Sequence, residues 1–81
     1  MQIIHHQGDL FRNANPSWCD TVFAAKAAQN GGIVRRAVRD VEREVGRQAF
    51  IAEVSRRHFH LIECADQFIV ICRDDDVRVL V

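Results

Sequence analysis

Residues Phe68-Ile69-Val70-Ile71-Cys72 are apolar without interruption, and polar residues flank them on both sides. A run this short, rich in β-branched and aromatic side chains, reads as a strand whose successive residues point to opposite faces. Both faces of that strand are therefore greasy. An antiparallel sheet with one wet side alternates apolar with polar residues, so a sheet built around this segment needs cover on two sides.

The chain has 81 residues, 48% of them hydrophobic, which suits one core and excludes a disordered chain. A single α+β domain over residues 1–81 is expected. Lysine plus arginine and aspartate plus glutamate balance at 11 each, so no net field draws the protein onto nucleic acid or an anionic membrane. No apolar run approaches the roughly 20 residues of a bilayer span. The opening Met1-Gln2-Ile3-Ile4-His5-His6 lacks the basic start and long apolar core of a signal peptide, and a cytoplasmic location is expected. Cys19, Cys64 and Cys72 are odd in number and form no CxxC pair, which argues against a disulfide framework.

Met1 to His6 alternates weakly and is expected to form a short strand. Asn15 is a good N-cap and Pro16 suits the first position of a helix over residues 16–29, with Asn30-Gly31-Gly32 as its left-handed stop. A second helix is expected where Val34, Val38, Val41 and Val45 repeat at helical spacing, ending at Gly46. From Arg47 onward the apparent period is two, and strands are expected over residues 48–55, 57–64, 67–72 and 77–81. The short polar breaks Ser55-Arg56-Arg57, Ala65-Asp66 and Asp74-Asp75-Asp76 favour hairpins. The expected fold is a two-layer sandwich of order β-α-α-β-β-β-β, with a mainly antiparallel sheet of four to five strands and two helices on one face.

Strand alternation sorts the residues. Phe50, Ala52 and Val54, then Phe59 and Leu61, then Phe68, Val70 and Cys72, then Val77, Val79 and Val81 are expected beneath the helices. The opposite face collects Ile51, Glu53, His58, His60, Ile62, Cys64, Ile69, Ile71, Arg73, Arg78 and Leu80. Its aliphatic members call for cover by the N-terminal segment with Leu10 and Phe11, by another copy of the chain, or by a different protein. The candidate partner-binding residues are accordingly Ile51, His58, His60, Ile62, Ile69, Ile71, Arg73, Arg78 and Leu80. Arg35, Arg39 and Arg43, spaced by four on the expected second helix, form a candidate anion-binding line whose simpler reading is a solvated face.

His58 and His60 share a parity with Cys64, and His-x-His with a thiolate has the donor types zinc prefers. The sequence places no fourth ligand near them, and neither a metal nor another cofactor is expected. The triple aspartate reads as a solvated turn. GxxxxGK[ST], GxGxxG, GxSxG and HExxH motifs are all absent. The order of elements alone resembles small bacterial messenger-RNA-cleaving toxins. That resemblance implies His58 or His60 as acid or base, Glu53 as partner, and Arg73 or Arg78 as phosphate ligand. A neutral chain is poorly suited to holding RNA, so nucleic acid is not the expected partner. The favoured expectation is a non-enzymatic, stoichiometric binding protein acting through an apolar sheet face on another protein or a second copy of itself. Inhibitors, adaptors and regulators belong to this class, those carried by phages and mobile elements, such as inhibitors of CRISPR systems, among them.

Overall fold

The computed structural model describes residues 16–81. The strand expected over Met1–His6, the Asn15 cap and the cover by Leu10 and Phe11 lie outside the described residues. Within them the chain runs α1 (Pro16–Phe23), α2 (Lys26–Gln29), β1 (Ile33–Ala37), α3 (Val38–Glu44), α4 (Arg47–Arg56), β2 (His60–Cys64) and β3 (Gln67–Ile71). The class is α+β with an antiparallel sheet, as the sequence implies. Among the described residues that sheet has three strands in the order β1-β3-β2, with both pairings antiparallel.

The helix expected over residues 16–29 is divided. α1 buries Cys19, Val22 and Phe23, which recur at helical spacing, and α2 buries Ala28. Between them Ala25 has an extended backbone (ψ 145°). The glycine stop holds: Gly31 has φ +74°, its N–H donates to the Ala28 carbonyl at 3.2 Å, and the Gly32 N–H donates to the Ala27 carbonyl at 2.7 Å. A Cβ on Gly32 would lie 2.9 Å from that same oxygen, so only glycine fits there.

The second expected helix begins one element too early. Ile33–Ala37 is a strand, with Val34 opposite Val70 of β3. Val34 is in phase with the helical valines by coincidence, because a residue four before Val38 is also an inward position on a strand. What decides its state is β3, an apolar strand whose second edge needs a hydrogen-bonding partner that β1 supplies. The helix proper starts at Val38, whose N–H donates to the Asp66 carbonyl at 2.8 Å, and it buries Val41 and delivers Val45 into the core. Gly46 (φ +87°) ends this run, as expected.

Residues 48–55 were expected as a strand and are instead the middle of α4. Phe50 and Val54 are buried under either periodicity, since both two and four are divisors of their spacing. Ala52 distinguishes the two, and it is exposed. The helix-forming residues Gln48, Ala49, Ala52 and Glu53 favour the helix.

β2 and β3 are joined by the expected two-residue turn, Ala65-Asp66, with Ala65 at φ +55°. The last expected strand, over residues 77–81, is absent from the sheet. A short turn after β3 would return the chain along β3, but both edges of β3 are already taken by β1 and β2. Val79 and Leu80 are each 84% exposed.

Among the described residues, all the helical cover lies on one side of the sheet. Phe50 stands at its centre, with ring centroids 5.5 Å from Phe68, 6.1 Å from Phe23 and 6.3 Å from Trp18. Its replacement by alanine would open a cavity shared by α1, α4 and β3. Phe50→Ala is expected to cost about 3–5 kcal/mol, comparable to the whole stability of so small a domain. Urea denaturation followed by circular dichroism should show loss of the cooperative transition.

Candidate functional site

The register places outward-facing side chains of the sheet in three cross-strand rows. Ile33, Ile71 and His60 form the first, Arg35, Ile69 and Ile62 the second, and Ala37, Gln67 and Cys64 the third. No described helix packs on this side. The core cluster contains Val34, Phe68, Val70 and Cys72 from the other parity and none of these nine. Ile33 is 57% and Ile62 44% exposed, although both are aliphatic, while Ile69 and Ile71 on the central strand are half-buried by their neighbours. Arg35 rises from the β1 edge with its side chain free of any ion pair among the described residues, and His60 marks the opposite corner. The surface is an apolar patch with Arg35 at one edge and His60 at a corner.

Of the nine sequence-derived partner residues, His60, Ile62, Ile69 and Ile71 are brought together on this face. Ile33 and Arg35 belong to it as well; with Val34 read as helical, the sequence gives Ile33 no place on a sheet and puts Arg35 in the anion-binding line instead. Ile51 is not on the sheet: it is exposed on α4. His58 is not on a strand either. Arg73 leaves the end of β3 and is held by Asp75 through Nη2–Oδ2 at 2.8 Å and Nε–Oδ1 at 3.3 Å. Arg78 and Leu80 lie in the exposed segment beyond it.

Ile51 and His58 lie instead on the other side of β2, and His60, at the start of that strand, borders both surfaces. There a groove of about 410 Å³ opens between α4 and β2, with Val54, Phe59 and Leu61 as its apolar lining and Ser55 and Asp74 as polar members. His58 shapes it through the backbone. Its φ of +61° is the left-handed conformation at which helices usually carry glycine. Its N–H donates to the Ser55 carbonyl at 2.9 Å and that of Phe59 to the Val54 carbonyl at 3.1 Å, closing the end of α4. His60 Nε2 is 2.6 Å from the Asp75 carbonyl, which ties the chain beyond β3 across the start of β2.

The arginine line is broken by the fold. Arg35 is on β1 while Arg39 and Arg43 are on α3, so a spacing of four no longer aligns all three. Arg43 is paired with Asp40 at 3.1 Å and Glu44 at 3.4 Å. For metals, the described residues contain no cluster of three or more His, Cys, Asp or Glu side chains. His58 leaves the helix end in a turn, and Cys64 sits at the far end of β2 from His60.

Glu53, the partner of the histidines in the nuclease reading, faces α1 instead. It accepts from Arg56 at 2.6 Å and from Arg57 at 2.7 Å, and Arg57 reaches on to Asp20 at 3.0 Å while its guanidinium lies 4.6 Å from the centre of the Phe23 ring. These hydrogen bonds, Arg56 first, hold the Glu53 carboxyl below its ordinary value of 4.5. A carboxyl depressed in the folded state stabilises the fold above its unfolded pKa, and this contribution disappears as the pH falls through the folded value. The melting temperature should therefore decline on acidification below about pH 4.5. Glu53→Gln is expected to flatten that decline and to lower the melting temperature at neutral pH, read by thermal melts across a pH series.

Comparison with protein-family models, with curated proteins and with solved structures finds no match to the chain. Its functional reading rests on the two surfaces just described.

Proposed function

We propose that this chain is a small stoichiometric protein-binding module of the cytoplasm that docks the outer face of its sheet onto an apolar surface of a larger protein. One observation carries the reading: Ile33, Ile62, Ile69 and Ile71 share a sheet face that no described helix covers. Three strands about 4.8 Å apart and five residues long, at about 3.3 Å each, give a patch of roughly 240 Å². At about 25 cal/mol per Å² a patch of that size would contribute at most about 6 kcal/mol if it were wholly apolar, near the lower end of what association costs. It can anchor a complex, and its rim must add to it. Arg35 is placed to do so by donating to a carboxylate or carbonyl of the partner, which gives the contact its orientation. Inhibitors, adaptors and regulators act in this way, without turnover, and those of phages and mobile elements fall within the same proposal.

The ribonuclease reading has one observation in its favour, that His58 and His60 line a common groove. The geometry weighs against it on two counts. Glu53 is engaged by arginines facing α1, and the groove lining contains no arginine or lysine while it does contain Asp74. A phosphate there would meet a carboxylate.

Two variants test the docking face. Ile69→Ser combined with Ile71→Ser is expected to abolish stoichiometric association, and Ile33→Arg, at an exposed edge position where folding is undisturbed, to weaken it at least tenfold. Co-purification and sedimentation read the complexes, and far-UV circular dichroism checks the helices. Complexes indifferent to both changes, or their absence from the natural chain, would remove the proposal. Alanine at His58 and His60 together is expected to leave any RNA cleavage by the preparation unchanged.

A further inference from the structure

Val77-Arg78-Val79-Leu80-Val81 alternates as a strand should, yet the structure leaves it without a ladder partner and largely exposed. Among the described residues β2 is meanwhile an edge strand, paired on one side only. We infer that residues 77–81 of one copy add to the free edge of β2 in a second copy, antiparallel, as a fourth strand. This goes beyond the docking face, since it uses the edge of the sheet.

The side chains select that edge and that direction. Antiparallel pairing of Glu63 with Arg78 sets Leu61 opposite Leu80, Ile62 opposite Val79, Cys64 opposite Val77 and His60 opposite Val81. Opposite charges meet, and the aliphatic residues meet each other on both faces. In the parallel direction with the same faces, Arg78 would oppose Leu61 and Leu80 would oppose Glu63. Among the described residues the other free edge is β1, which offers Arg35 and Arg36 to Arg78. Like charges placed opposite one another disfavour it.

The groove supplies a second, independent fit. Leu61 lines it from the inner side of β2, with Ile51 and Val54 facing it from α4. A leucine laid opposite Leu61 reaches into that space. Glu63 already accepts from Arg47 at 2.7 Å and 3.1 Å, but a carboxylate has about four acceptor sites, and its side chain is 41% exposed.

The pairing must occur between copies. β3 finishes beside His60, whereas an antiparallel strand along β2 has to start beside Cys64, at the other end of the sheet. Such a strand would run parallel to β3, and a parallel crossover takes about a dozen residues or more. Only Cys72 to Asp76 are available. The chain is further held at the His60 end by the Asp75 carbonyl and by the Arg73–Asp75 pair. A second copy supplies the same segment without that constraint.

The register makes Cys64 a reporter. Residues directly opposite on antiparallel strands lie about 4.5–5.5 Å apart at Cα, within the range a disulfide spans. Cys64 is exposed, whereas Cys19 and Cys72 are buried. Mild oxidation of Val77→Cys is expected to give a covalent dimer on a non-reducing gel, lost when Cys64→Ser is added. Val79→Cys, two rows away, should give at least tenfold less product through Cys64. Sedimentation should show a dimer in the natural chain, weakened roughly tenfold by Arg78→Glu and abolished by truncation after Asp76. These changes fall in an exposed segment and spare the core. Ile33→Arg, at the opposite edge, should leave the dimer intact while impairing docking, so the two readings fail separately. A natural chain that stays monomeric, a dimer indifferent to the truncation, or equal crosslinking by Val77→Cys and Val79→Cys would overturn the inference.

Discussion

The demands of β3 organise the molecule. Its backbone must be paired on both edges and its side chains are apolar on both faces, so it can only be a central strand with two covered sides. β2 meets one edge through a two-residue turn. β1 meets the other from a distant part of the chain, and in doing so pulls Val34 out of the helical valine series. One face of β3 is then satisfied by Phe50, Val41 and Val45 from the helices above Phe68 and Val70. The opposite face, with Ile69 and Ile71, receives no comparable cover from the described residues.

Two arginines anchor the ends of α4, Arg47 to the sheet and Arg57 to α1. Arg47 opens α4, where a cation opposes the helix dipole. Its placement is compensated by a bidentate contact with Glu63 on β2, a second with Glu42, and the Phe68 ring 5.2 Å away. The hydrogen bonds that Arg47 donates to Glu63 raise the Arg47 pKa and lower that of Glu63. At the other end of α4, Arg57 covers Phe23 and links Glu53 to Asp20 on α1. The guanidinium plane suits both tasks, since it stacks on a ring while its edge donates to carboxylates. Much of the arginine in this chain is therefore structural, which removes it from the stock of free cations that a nucleic-acid site would need.

What the sequence made legible follows from which signals were unambiguous. The turn Ala65-Asp66, the stops at Gly31 and Gly46, and the assignment of β3 all rest on local chemistry that has one solution, and the parity argument placed His60, Ile62, Ile69 and Ile71 correctly on one face. The errors arose where two periods coincide. Phe50 and Val54 fit a strand or a helix equally, and the deciding evidence was the solvent exposure of Ala52 together with acid–base pairs between Glu53 and Arg56 or Arg57 at helical spacing. Val34 fits a helix through Val38 and Val41, and only long-range pairing with β3 makes it a strand. The groove was illegible for a different reason, since it depends on His58 taking a glycine conformation that its residue type does not announce.

The two proposed surfaces share β2, and this sharing links them energetically. An added strand from a second copy would place Val77, Val79 and Val81 in the rows of Cys64, Ile62 and His60, on the same outward face as the isoleucines. A fourth strand widens that patch by about a third, from roughly 240 Å² toward roughly 320 Å² at the usual strand spacing. On the same accounting the upper limit of its contribution rises from about 6 to about 8 kcal/mol, further into the range that association requires. On the proposed pairing, self-association would build a larger docking face than a single copy possesses, and by linkage a partner covering this enlarged face would strengthen the contact between copies. The exposed valines and the uncovered isoleucines would then be two parts of one surface, which only the proposed assembly completes.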